Sequence, residues 1–184
     1  TDGIGFFKSL ETLRAFHVRN KRLTILGGGG ASTAIIAQAA IDGAKEITIF
    51  CRPKSVERTV ATVQTIAQST GVSLQVLPNN DSQLLAEHIN NSDLLINGTS
   101  VGMDGTSLPL PATIRFPEEL LVADVIYQPF ETPLLKMANS QGNPTINGLG
   151  MLLFQAAEAF ELWTGKEMPT DLIWQLLVQK YDIK

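Results

Sequence analysis

Four consecutive glycines, Gly27 to Gly30, run into the small residues Ala31 and Ser32. They stand between a compact apolar run, Leu23-Thr24-Ile25-Leu26, and an Ala-rich stretch without proline, Ala31 to Ile41. Where a buried strand turns directly into a helix the chain must reverse sharply, and a Cβ would obstruct both that reversal and the close approach of an anion to the backbone. The helix start adds unpaired N–H groups and the positive end of its dipole. The chemistry this spacing suits is the cradling of a pyrophosphate, with Gly27, Gly28, Gly29, Gly30, Ala31 and Ser32 as the binding residues. The competing reading is a plain structural turn, since glycine clusters occur there too and Ser32 stands where the usual fingerprint has its third glycine.

A second clue follows the next apolar run, Ile47-Thr48-Ile49-Phe50. In dinucleotide-binding turns an acidic side chain at this point takes the ribose hydroxyls of NAD, whereas Arg or Lys takes the 2′-phosphate of NADP. The chain has Cys51-Arg52-Pro53-Lys54, with Arg58 one turn later and no acid before Glu57. Cys51, Arg52 and Lys54 are therefore expected at the cofactor, with NADP preferred over NAD; Arg52 can also stack on an adenine face. A solvated basic loop is the alternative.

These residues need a strand, a turn, a helix and a second strand to position them, and the pattern supplies that βαβ unit. The alternation continues, with helices expected at Val56 to Ser69, Gln83 to Ile89 and Pro133 to Ser140. Strands are expected at Ser73 to Leu77, Leu94 to Asn97 and Leu121 to Ile126. An amphipathic helix is expected earlier, over Leu10 to Val18, and two more close the chain at Met151 to Thr164 and Asp171 to Lys180. In the first of these, Leu152, Ala156, Ala159 and Trp163 fall on one side. Asp104 to Pro117, with three prolines, is the longest loop. Alternating strands and helices imply an α/β fold, a doubly wound parallel sheet of Rossmann type. Asn97, Gly98, Thr99, Ser100 and Val101 then follow the carboxyl end of a strand, where ligands lie in such sheets; a plain strand-to-loop turn is the alternative.

Composition removes several other classes. The 184 residues carry 44% hydrophobic and 17% charged positions, enough for a core, and a net charge of −4 without a basic stripe argues against nucleic acid. The single Cys51 rules out an internal disulfide framework. His17 and His88 lack companion ligand spacing, so no metal is expected. No apolar run reaches the ~20 residues that span a bilayer and no signal peptide opens the chain, so no membrane partner is expected and the cytoplasm is the simplest compartment. The chain opens at Thr1 rather than Met, and a piece of a longer protein is the expectation.

Five further segments carry a resemblance. They are Thr1-Asp2-Gly3-Ile4-Gly5-Phe6, the Gly27 to Ser32 turn, and Asn97-Gly98-Thr99-Ser100-Val101-Gly102-Met103. The others are Asp124-Val125-Ile126-Tyr127-Gln128-Pro129, and Asn147 to Gln155 followed by Trp163-Thr164-Gly165. In this order they resemble the motifs of the shikimate dehydrogenase family, including its quinate/shikimate branch, and they run across nearly the whole chain. Departures stand out as well: Cys51-Arg52-Pro53 replaces the Asn-Arg-Thr of NADP-using members, the Asp that the dual-specific branch carries near Lys54 is absent, and the glycine turn has Gly28 where the family has Ala.

The resemblance implies reversible oxidation of shikimate or quinate at a ring hydroxyl with NADP or NAD. It makes Asp2 the catalytic carboxylate, touching a substrate hydroxyl and paired with a lysine from a preceding domain. Such a pair tunes the acid/base group that serves the alcohol oxygen. Tyr127 and Gln155 are implied as substrate contacts. Asn97, Gly98, Thr99, Ser100, Val101, Val125, Gly148 and Met151 are implied to border the nicotinamide. Residues 1–184 are then expected to form a single dinucleotide-binding domain. Residues 1–20 would be a linking helix, and residues 149–184 helices that pack towards a missing substrate domain. A homodimer is left open. Two other readings are a nucleotide-binding or interaction module that lost its chemistry, and a different Rossmann dehydrogenase such as a methylene-tetrahydrofolate enzyme.

Overall fold

Hydrophobic runs too short and too β-branched for buried helices become the strands of one sheet. The computed structural model describes residues 1–181. Its strands are β1 (Arg22–Leu26), β2 (Glu46–Cys51), β3 (Ser73–Pro78), β4 (Leu94–Asn97), β5 (Leu121–Asp124) and β6 (Thr145–Ile146). All pair in parallel, in the order β3-β2-β1-β4-β5-β6. This is the strand order of doubly wound dinucleotide-binding folds, and it reverses direction between β1 and β4.

Alternation along each strand sends side chains to two cores. Leu23, Ile25, Ile47, Ile49, Leu94, Ile96 and Ala123 face one side. There they meet α1 (Asp2–Arg14), α2 (Gly30–Ile41), α3 (Val56–Thr70) and α6 (Leu149–Thr164). Leu26, Phe50, Leu95 and Val122 face the other, against α4 (Ser82–Asn90), α5 (Pro133–Ser140) and the loop residues Leu110 and Ile114. The last helix, α7 (Thr170–Tyr181), lies on α6. No helix of the described residues is long and apolar enough to cross a membrane.

Three of the expected elements differ from expectation, and β6 was not expected at all. The first helix spans Asp2–Arg14 rather than Leu10 to Val18. Glycines at 3 and 5 argue against a helix by propensity, at about 1 kcal/mol each, but close packing decides otherwise. A Cβ on Gly3 would strike the Ala34 carbonyl of α2, and one on Gly5 would strike the Gln155 backbone of α6. The helix stops at Ala15, which is left-handed (φ 52°), and the Phe16 N–H turns back to the Leu10 carbonyl. Strand β5 ends at Asp124 instead of Ile126, because the Asp124 side chain takes the Ile126 N–H. In α6 the Leu152–Trp163 side is the open one: Trp163 is 84% exposed, while Gly150, Leu153, Phe154 and Ala157 are buried.

Candidate functional site

At the carboxyl ends of β1, β2 and β4 lies a cleft of about 530 Å³. Gly27, Gly28 and Gly29 form its floor, with Cys51, Arg52, Ser55, Arg58 and Asn79 on one side. Gly98, Thr99, Ser100 and Val101 stand on the other, with Leu108 and Pro109.

The four glycines divide into two kinds. Gly27 is left-handed (φ 95°) and donates its N–H to the Phe50 carbonyl at 2.7 Å; a Cβ there would sit 2.6 Å from Thr99 Cγ2. Gly28 faces Thr59, whose Cγ2 would be 2.7 Å from an added Cβ, and Thr59 is held by its hydroxyl on the Ser55 carbonyl. That contact explains the glycine at 28. Gly29 and Gly30 are different: a Cβ on either meets no protein atom within 4 Å. Gly29 has extended backbone that any residue adopts, and α2 begins there without a side-chain cap. Packing does not ask for glycine at these two positions, but an anion resting on the backbone would.

The 97–101 wall is tied from below. The Asn97 side chain donates to the Val101 carbonyl at 3.0 Å and accepts from the Thr99 N–H and hydroxyl at 3.1 and 2.7 Å. Ser32, fully buried, donates to the Gly98 carbonyl and so fastens α2 to the same wall. Asn97 also donates to both carboxylate oxygens of Asp124 at 3.1 Å, and Asp124 takes the Thr132 hydroxyl at 2.8 Å and the Ile126 N–H at 3.0 Å. Burial pushes the Asp124 carboxyl from 3.8 up to about 6, against the pull of the Ile126, Asn97 and Thr132 hydrogen bonds.

The sign of that shift sets a pH dependence. The folded chain holds this proton up to about pH 6 and the unfolded chain only to 3.8, so folding takes up a proton between them. The contribution is favourable below 3.8 and is lost as pH rises through 6. Relative to Asp124→Asn, wild type is expected to lose about 3 kcal/mol of unfolding free energy between about pH 3 and pH 7. Urea melts of both proteins across that range check this; parallel curves would refute it.

Of the residues expected from sequence, the cleft lining takes Gly27, Gly28, Gly29, Cys51, Arg52, Gly98, Thr99, Ser100 and Val101. Gly30 and Ala31, at the start of α2, lie outside the lining, while Ser32 and Asn97 tie the 97–101 wall from behind. Lys54, in a single 3₁₀ turn (Pro53–Ser55), is exposed and outside the lining; Arg58, first noted only as a neighbouring charge, stands inside it. Val125, Gly148 and Met151 lie away from the lining: Met151 packs in the core, and Gly148 backs onto the Val125 carbonyl. Asp2 is exposed in the first turn of α1, half-buried Gln155 shares the α1–α6 contact through Gly5, and Tyr127, 42% exposed, follows β5. Ser55, Asn79 and the role of Asp124 were not foreseen; the acid inside the apolar stretch Leu121 to Ile126 was the available signal for Asp124.

Residues 148–178 match the family model described as the shikimate 5′-dehydrogenase C-terminal domain. The chain is 80% identical over all 184 residues to a shikimate dehydrogenase (NADP(+)) of Streptococcus suis, spanning 64% of that protein's length. Among solved structures it resembles shikimate 5-dehydrogenase of Listeria monocytogenes in complex with shikimate and NAD. That match has 42% identity and a TM-score of 0.88, and covers 96% of this chain and 62% of the other. It also resembles the ligand-free 5-ketofructose reductase of a Gluconobacter strain at 33% identity and a TM-score of 0.79, covering 97% and 62%. The chain thus spans less than two thirds of the relatives it matches.

Proposed function

We propose that the chain, which resembles shikimate dehydrogenases over its whole length, is the NADP-binding part of an oxidoreductase that reversibly reduces 3-dehydroshikimate to shikimate. The dehydroquinate–quinate pair is the alternative substrate. The observation that carries the reading is the open space over Gly29 and Gly30, glycines that the protein's own packing does not need. The donor set fits the group: unpaired helix-start amides for the pyrophosphate, and Arg52 and Arg58 for a 2′-phosphate. When bound, the nicotinamide supplies the hydride acceptor or donor. Thr99, Ser100 and Val101 would shape the wall beside it, and the glycine floor would hold the phosphates.

The Asp2 carboxylate, exposed at the start of α1, serves the proton at the substrate oxygen together with a lysine from outside this chain. Tyr127 and Gln155 offer a phenol and an amide to hydroxyls or a carboxylate. Residues 1–20 and 149–181 would face the part of the relatives that the chain does not span, in keeping with the exposed Leu162 and Trp163 on α6, and residues 182–184 lie outside the described residues. A cytoplasmic setting goes with this role.

The test is an assay of the chain joined to the segment of the Streptococcus suis relative that lies outside the match. Formation of NADPH from NADP and shikimate is expected. Arg58→Ala should raise KM for NADP about tenfold, the worth of one charge-assisted hydrogen bond, and leave KM for NAD unchanged. Absence of shikimate-dependent NADPH would overturn the proposal.

A further inference from the structure

Asp124 is 1% exposed and buried beneath the cleft rather than in it. A carboxylate in that position is costly unless its oxygens are satisfied. Its donors come from three separate places: Asn97 at the end of β4, the Ile126 N–H beyond β5, and Thr132, which also caps α5. Asp124 supplies two of the three acceptors that set the direction of the Asn97 NH₂, the Val101 carbonyl being the third. Turned over, that amide would set its oxygen against the carboxylate and its NH₂ against the Thr99 N–H, two repulsive contacts. Held as it is, it folds residues 99–101 into the wall, with Thr99, Ser100 and Val101 lining the cleft. The same carboxylate fixes the start of the 125–127 segment that leads to Tyr127.

We propose that Asp124 is a positioning residue: by locking the Asn97 amide it sets the wall of the cleft on which the nicotinamide half of a dinucleotide rests. The burial that raises its proton affinity is the cost of placing an all-acceptor group there. The proposal rests on the dinucleotide reading of the cleft, and it assigns Asp124 no contact with ligand.

The experiment is a pair of titrations of the 184-residue chain. NADP reaches both ends of the cleft, while adenosine 2′,5′-bisphosphate reaches only the end carrying Arg52 and Arg58. Asp124→Ala is expected to weaken NADP about tenfold and to leave the bisphosphate within about twofold, the size expected for losing one hydrogen-bonded wall. Asp124→Asn, which still offers Asn97 an acceptor oxygen, should recover most of the NADP affinity. Equal loss of both ligands, or no loss of either, in folded Asp124→Ala overturns the proposal and leaves the dinucleotide reading intact. Should Asp124→Ala not fold, Asn97→Ala cuts the same link from the other end and must show the same split; NADP bound at wild-type strength would overturn the proposal. A wild-type chain that binds neither ligand overturns the dinucleotide reading and this proposal together.

Discussion

Gly29→Ala is expected to leave the fold standing while weakening NADP binding by about a hundredfold or more, roughly 3 kcal/mol. The two halves of that expectation have separate causes. An added Cβ at Gly29 meets no protein atom within 4 Å, and the backbone there (φ −83°, ψ −174°) is one any residue adopts. Stability should therefore stay within about 1 kcal/mol, with a weaker N-cap offset by a stiffer unfolded chain. The space that receives the methyl group is the floor of the cleft, where a phosphate must come against backbone N–H groups. A methyl there holds the anion off all of them at once. Thermal melting paired with a nucleotide titration separates the two effects. Unchanged NADP affinity would mean that no phosphate rests on this turn.

Gly148→Ala is expected to do the opposite, costing about 3 kcal/mol or more of stability through overpacking. Its Cβ would fall on the Val125 carbonyl, inside van der Waals contact, and crowd Ile126 as well. The Gly148 N–H is meanwhile held by the Ile126 carbonyl at 3.0 Å, so the two segments have little room to part. For a chain of this size the melting temperature should drop by roughly 10 °C. Circular dichroism melts read the change directly; a shift of less than about 2 °C would mean the segments separate easily. This glycine came forward as a neighbour of the nicotinamide, and the structure gives it a packing role.

The contrast shows what could be read from residues alone. The βαβ unit was legible because its signals were local: a β-branched run, a glycine turn and an Ala-rich helix in immediate succession. The Gly27–Gly29 floor and the 98–101 wall came with it, since each follows the carboxyl end of a strand. The first helix was misplaced because its glycines serve contacts with α2 and α6, which lie far away in sequence. Strand β6, two residues long, is too short to show a period at all. In α6 the apolar residues surround most of the helix, so periodicity could not choose the buried side; the close approach of Gly5 and Gly150 to the partner helix chose it. Lys54 and Arg58 are equally basic in sequence, and only the passage from the 3₁₀ turn that holds Lys54 into the helix that holds Arg58 decides which one reaches the cleft.

The proposed function depends on a dinucleotide occupying the glycine-floored cleft. Calorimetric titration of the 184-residue chain with NADP and then with NAD tests that most directly. Saturable one-to-one binding is expected for NADP, with NAD weaker because Arg52 and Arg58 would lack the 2′-phosphate. Absence of binding for both nucleotides at millimolar concentration would contradict it.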